Sequence, residues 1–222
     1  MSAIKKLNKD FFKIWSLEMA YVLGFFAADG YLTLNKTGGR YFSIQISDKQ
    51  HLVNIRKLLA SGHKIAVRYS NGKKFYRLQI GSKEFYNDLG RLGFTVKKSH
   101  VMNIPNVPQK FFSSFVRGYF DGDGNIWIGL VHKERKTSHM TLLTAFTSCS
   151  KQFLIGLKTS LSTRLGVKGS LVTLAINRKN PSYRLQYSKK DSLQLFKFMY
   201  NNSTIHLERK RRRFEWFEKM RW

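Results

Sequence analysis

A nine-residue phrase occurs twice in this chain and constrains its fold more than any other feature. Val22-Leu23-Gly24-Phe25-Phe26-Ala27-Ala28-Asp29-Gly30 returns as Val116-Arg117-Gly118-Tyr119-Phe120-Asp121-Gly122-Asp123-Gly124. Each copy is an apolar, helix-like run with a glycine in its middle, and each closes on a small residue, an aspartate and a glycine. A strand-like segment follows each copy, Tyr31 to Leu34 and Asn125 to Ile128. Packed together, two such helices would hold two carboxylates side by side on a pseudo-two-fold axis.

The duplication extends past the phrase. Asp29 and Asp123 are 94 positions apart. Lys49-Gln50-His51-Leu52 matches Lys151-Gln152-Phe153-Leu154 at a spacing of 102, and Tyr76-Arg77-Leu78-Gln79 recurs identically at Tyr183-Arg184-Leu185-Gln186 at a spacing of 107. The spacing grows only in segments that read as loops, as it does in a duplicated unit with longer loops in its second copy.

Each unit reads as αββαββα. In the first, alternation of Phe42, Ile44 and Ile46 predicts a half-buried strand after the one at Tyr31 to Leu34. Leu52, Ile55, Leu58 and Leu59 then recur at helical spacing between Lys49 and Ala60. Strands at Ile65 to Tyr69 and Phe75 to Ile80 flank Asn71-Gly72, a strong hairpin signal. A helix from about Ser82 to Leu92 ends the unit. The second unit repeats the order, with strands at Asn125 to His132, Met140 to Thr147, Ser170 to Ile176 and Tyr183 to Tyr187. Its later helices run from Ser150 to Leu165 and from Lys190 to Tyr200. Pro105 and Pro108 mark the junction. Phe214, Trp216 and Phe217 follow the basic run Arg209 to Arg213 and predict a docked C-terminal segment.

The chain has 222 residues, 42% of them hydrophobic, enough for a real core. Forty Lys and Arg against 13 Asp and Glu give a formal charge of +27, spread along the whole length. Such an excess implies a large polyanionic partner, nucleic acid first and an anionic membrane second. No basic amphipathic helix stands out as a membrane anchor. The single cysteine, Cys149, excludes a disulfide framework and a thiolate metal site; it suits a reducing compartment and is expected to pack in the core or a strand. Lys5, Lys6 and Lys9 ahead of an apolar run superficially resemble a secretory leader. Asp10 and Glu18 interrupt that run, and the same phrase recurs internally. The run is also too short to span a bilayer. An intracellular, non-secreted protein is expected.

On these two phrases, each followed by ββαββ, the chain resembles the LAGLIDADG homing endonucleases of the single-chain, two-motif type. The resemblance implies an α+β fold of duplicated αββαββα units with pseudo-two-fold symmetry, whose two antiparallel sheets form a DNA-binding saddle. The units are expected at 1–104 and 105–222. The implied activity is that of a monomeric, metal-dependent nuclease cutting both strands of a long, pseudo-palindromic DNA target across the minor groove, with 3′ overhangs. Asp29 and Asp123 are the implied metal ligands, assisted by the carbonyls of Ala28 and Gly122. Mg²⁺ is the implied metal, with Mn²⁺ or Ca²⁺ able to substitute in binding. Paired carboxylates suit this chemistry because metals held there polarise a phosphate, activate water and stabilise the leaving oxygen. The family also carries a lysine in the region of Lys98 in one half and Lys210 in the other, with Lys97 competing for the first place. Gln45 and Thr147 align with its water-positioning polar residue. Ala27, where the second phrase has Asp121, departs at a position that is structural in the family. A calcium loop starting at Asp121 is excluded, because Ile126 stands where glycine is needed and His132 where a closing glutamate should be.

Outward strand positions are expected to face DNA. They are Arg40, Ser43, Gln45, Arg68, Lys73, Arg77 and Gln79 in the first unit, and Lys168, Thr173, Arg178, Arg184 and Gln186 in the second. Arginine and glutamine make bidentate contacts to guanine and adenine. Alternation puts Arg77 with Gln79, and Arg184 with Gln186, on one face. Other functions of the fold stay open: an RNA maturase acting on an intron, or a non-catalytic DNA-binding regulator. Neither needs both aspartates. No intein splice junction is found, and a free-standing, intron-encoded protein is expected.

Overall fold

The computed structural model describes residues 5–96, 101–132, 134, 136, 138–174 and 181–220. Within them the chain divides into two compact units, Met1–Lys98 with Pro105–Gly122, and Ser99–Ile104 with Asp123–Trp222. The cut differs from a division at residue 104 because the second motif helix lies with the first unit, while the short segment 101–104 lies with the second.

In the first unit, helix α1 (Leu17–Asp29) leads into β1 (Gly30–Leu34) and β2 (Arg40–Ile46), then α2 (Lys49–Leu58), β3 (Ile65–Ser70), β4 (Lys73–Gly81) and α3 (Lys83–Arg91). The strands form one antiparallel sheet in the order β1-β2-β4-β3. Asn71 and Gly72 both take positive φ, 47° and 71°, the conformation that a two-residue hairpin turn of the I′ class requires. Side-chain caps begin the helices: Ser16, Asp48 and Ser82 each accept the backbone N–H three residues on. Phe42, Ile44, Leu78 and Ile80 point to the helix side, where they are buried with Leu52, Ile55, Phe85 and Leu89. Phe42 stacks on Phe26 at 5.1 Å and meets Phe85 edge-on at 5.6 Å.

In the second unit, β5 (Gly124–Val131) and β6 (His139–Ser148) precede α5 (Lys151–Leu165), β7 (Ser170–Leu174), β8 (Ser182–Tyr187), α6 (Lys189–Tyr200) and α7 (Glu208–Lys219). The sheet order, β5-β6-β8-β7, repeats that of the first unit. Ser150 caps α5 as Asp48 caps α2. Phe146, Leu142 and Leu185 are buried with Phe153, Leu154 and Leu157 of α5 and Leu195 and Met199 of α6. The C-terminal segment docks as expected: Phe214 stacks on Phe196 at 4.7 Å, and Phe217 is buried. Cys149 does not pack inside; it is exposed at the β6–α5 turn, where Ser148 and Ser150 take the buried places.

Helix α4 (Phe112–Asp123) carries the second phrase, and its body belongs to the first unit. Every residue of α1 from Met19 to Ala27 is buried, as is every residue of α4 from Ser114 to Asp121. A helix apolar on nearly all sides must be enclosed on all sides. The two glycines let α1 and α4 meet backbone to backbone. A Cβ at Gly24 would land on the Phe115 carbonyl and the Tyr119 nitrogen; one at Gly118 would land on the Tyr21 carbonyl and the Phe25 nitrogen. These contacts exchange under a two-fold rotation. Gly118→Ala is therefore expected to cost about 3 kcal/mol through overpacking. Gly90→Ala in α3, where a Cβ meets nothing within 4 Å, is expected to stabilise by about 0.5–1 kcal/mol. Thermal or urea unfolding of the two variants checks both signs.

Candidate functional site

The close approach fixes what stands at the C-terminal ends of the two motif helices. Asp29 is the last residue of α1 and Asp123 the last of α4, and β1 and β5 leave directly from Gly30 and Gly124. Asp29 is half-buried and Asp123 exposed. At Gly122, a Cβ would meet the Cβ of Ala28 and come within 2.9 Å of Oδ2 of Asp29. The absence of a side chain there makes room for the Asp29 carboxylate against α4, one residue before Asp123 in the chain. A helix C-terminus carries partial negative charge and favours cations. Neither α1 nor α4 has a basic residue in its last turn; each ends on a carboxylate instead. The donors at these helix ends are hard oxygens. Mg²⁺ is commonly held through one or two carboxylates, with waters and substrate phosphate completing its shell, so the residue types fit it. Among the described residues, no group of three or more His, Cys, Asp and Glu side chains gathers as a metal centre, so a cation at the helix ends would take carbonyls, water or phosphate as further ligands.

Lys210 enters from α7. It is only 4% exposed, and its Nζ donates to the Gly124 carbonyl at 2.6 Å. A lysine 86 positions away in the chain is thus planted beside the residue that follows Asp123. The start of α7 is tied down around it. Glu208 accepts from Arg212 at 2.7 Å and lies 3.0 Å from His206, contacts that hold its carboxyl below the usual range. Lys98 and its competitor Lys97 lie outside the described residues, as does Arg178.

A buried polar cluster escaped sequence reasoning. Tyr21 donates from its hydroxyl to Oδ2 of Asp121 at 2.7 Å and sits 2.9 Å from Nε2 of His51. All three residues are buried, and the Arg117 guanidinium lies 5.3 Å from the centre of the Tyr21 ring. Asp121 therefore ties α4 to α1, and through Tyr21 to α2. Its place in the second phrase is structural, and Ala27 fills the matching place in the first without a polar group. No periodic signal marks Tyr21 inside its apolar run; the acid at 121 was the only readable hint.

The strand registers sort the residues expected on the outward faces. Gln45 lies opposite Arg77 and Ser43 opposite Gln79; Thr147 lies opposite Arg184. These residues face away from the helices, and Gln45, Arg77, Gln79, Thr147, Arg184 and Gln186 are all half-buried there. Arg68 and Lys73 share that side and are exposed. Ser43 faces the same way but is 0% exposed, because Tyr31 and Gln79 flank it on the adjacent strands. Arg40 is a correction. It shares the parity of Phe42 and Ile44, so it points to the helix side, where Nη1 donates to Asn87 at 3.1 Å and the guanidinium sits 5.5 Å from the Tyr86 ring. Thr173 is another: it pairs with Tyr183, on the side of Leu171 and Leu185, and Val172 takes the outward place opposite Arg184. Lys168 precedes β7 and is exposed, its backbone N–H donating to Asp191 at 3.2 Å.

Comparisons with known proteins agree with this architecture. A family profile described as "LAGLIDADG-like domain" matches residues 16–92 and 111–199. An uncharacterized protein of Methanocaldococcus jannaschii is 23% identical over 205 residues, covering 90% of this chain and 71% of its own. The crystal structure of meganuclease I-SmaMI bound to uncleavable DNA superposes with a TM-score of 0.64 at 16% identity, covering 89% of this chain and 88% of its own. The same meganuclease has been solved on its uncleaved target in the presence of calcium ions. The I-LtrWI LAGLIDADG homing endonuclease bound to target DNA also gives 0.64, at 12% identity, with 95% and 90% of the two chains covered. The two matched segments take in both αββαββα repeats, and the chain belongs to the family of LAGLIDADG-like domain proteins.

Proposed function

We propose that this protein is a divalent-metal-dependent DNA endonuclease that, as a monomer, binds a long double-stranded target and hydrolyses both strands, promoting mobility of an intron. The observation that supports this most strongly is the pair of motif helices, in contact at Gly24 and Gly118, each of which ends on an aspartate. A fold used only to bind RNA or DNA has no need of an acid at both ends.

In this reading, the carboxylates of Asp29 and Asp123, with the carbonyls of Ala28 and Gly122, would hold the divalent cations that the reaction uses. Bound there, such a cation supplies Lewis-acid polarisation of the phosphate and acidifies water. Lys210 already donates to the Gly124 carbonyl, and its ammonium stabilises negative charge that develops on the phosphate in its half. Gln45 and Thr147, at matching positions of the two sheets, orient water. Arg77 with Gln79, and Arg184 with Gln186, read base edges in the major groove. Lys73 and Arg68 take phosphates, positioning the duplex without reading it. The charge of +27 supplies the long-range attraction. Among the described residues, no helix is long and apolar enough to cross a membrane.

Three outcomes are expected. Asp29→Asn and Asp123→Asn should each abolish double-strand cutting of the target while retaining specific binding, checked by gel assays in Mg²⁺ and in EDTA. Tight binding by the wild type without cutting under any metal condition would instead favour a maturase or a regulator. Lys210→Met should lower the cutting rate about 10²-fold with binding little changed, measured in single turnover. Specific affinity should fall about 10³-fold or more between 50 and 200 mM salt, read from the slope of binding against salt concentration.

A further inference from the structure

The outward faces of the two sheets can be compared residue by residue, because strand order and register repeat. Thr33 lies opposite Tyr41 across β1 and β2; in their places, Trp127 lies opposite Leu143 across β5 and β6. Ser43, opposite Gln79, is matched by Ala145, opposite Gln186. Arg68, two residues past the partner of Arg77, is matched by Leu174, two past the partner of Arg184. The arginine–glutamine pairs are kept, while four positions around them change from hydrogen-bonding to apolar. Trp127 is 44% exposed and Val172 46% exposed. The indole occupies the space beside Gly129, where a Cβ would come within 2.5–3.1 Å of Cζ2, Cη2 and Cε2 of its ring.

Trp127 on β5 is the exposed aromatic of this face, with half-buried Leu143 opposite it on β6 and the Arg184–Gln186 pair two strands away on β8. The chain carries +27, so the occupant of this face is both polyanionic and apolar in part. In the major groove the thymine C5-methyl is the apolar group that a base pair presents. We infer that the second sheet reads thymine methyl groups through Trp127 and Leu143, so that its half of the target is marked by T·A pairs where the first sheet's half is read by hydrogen bonds. The inference rests on the DNA-endonuclease reading above. Trp127 stands four residues past Asp123. That is about 13 Å along an extended strand. The marked thymine therefore lies within about four base-pair steps of the phosphate nearest Asp123.

The test uses the full chain carrying Asp123→Asn, which blocks cutting. Bound sequences are selected from a randomised duplex library, and each selected thymine is then replaced by deoxyuridine, which deletes only the methyl. Replacement at one or two positions of one half-site should weaken binding about fourfold each. Trp127→Ala, or Leu143→Ala where the first variant fails to fold by circular dichroism, should remove that sensitivity and leave other positions unaffected. Selection of a specific sequence with no deoxyuridine effect, or with an effect that survives both variants, would overturn the inference and leave the endonuclease reading standing. Selection of no sequence at all would overturn both. A wild type that self-associates in sedimentation, and that Trp127→Ala makes monomeric, would assign this face to a second copy of the chain and overturn the inference.

Discussion

The contact between α1 and α4 at Gly24 and Gly118 is the constraint on which the rest of this structure depends. Each glycine admits the partner's backbone into the space a side chain would fill. Helices that approach this closely leave little freedom of rotation or slide, so the residues one turn further on are fixed as well. Those residues are Asp29 and the Gly122–Asp123 step, and from them both β1 and β5 depart. Asp121, Tyr21 and His51 lock the same helix pair with buried hydrogen bonds. A buried network of this kind is costly if half-made and specifying when complete, which suits a place where helix register decides where a carboxylate stands.

The electrostatics of the motif ends run against what stability alone would choose. Helix C-termini favour basic residues, yet α1 and α4 close on aspartates. Structural stability does not ask for that arrangement twice. Cation binding, as proposed, would ask for it, and the buried Lys210 at the Gly124 carbonyl adds a positive charge beside the end of α4. The two sheets add an asymmetry of their own. One outward face carries tyrosine, threonine, serine and arginine where the other carries tryptophan, leucine and alanine. A duplicated scaffold has kept its frame and diverged at the surface positions that do not support the core.

Much of this was legible in the sequence, for physical reasons. The repeated phrase, the alternation in β2 and the Asn71-Gly72 turn are local signals of strong period, and the elements they predict form where expected. The identical tetrapeptides at Tyr76 and Tyr183 likewise mark β4 and β8 as equivalent strands. Arg40 and Thr173 look outward by polarity, but strand parity turns both to the other face. Both fall on the helix side of their strands, and both are polar because they lie near strand ends, where that side reaches solvent or a helix surface. Ser43 has the right parity, but its exposure depends on Tyr31 and Gln79 on adjacent strands, which sequence distance hides. The Tyr21–His51–Asp121 cluster joins three helices and left no periodic trace. Lys210 is pointed to only by the family resemblance, and its burial against Gly124 is a tertiary fact. The division of the chain also follows packing: α4 belongs by sequence to the second repeat and by contact to the first unit.

The most direct test of the central claim is anomalous diffraction from crystals of the protein bound to its target DNA and soaked in Mn²⁺. The account predicts anomalous peaks within coordinating distance, about 2 Å, of carboxylate oxygens of both Asp29 and Asp123. Manganese bound elsewhere, or DNA bound with no metal at either aspartate, would contradict it.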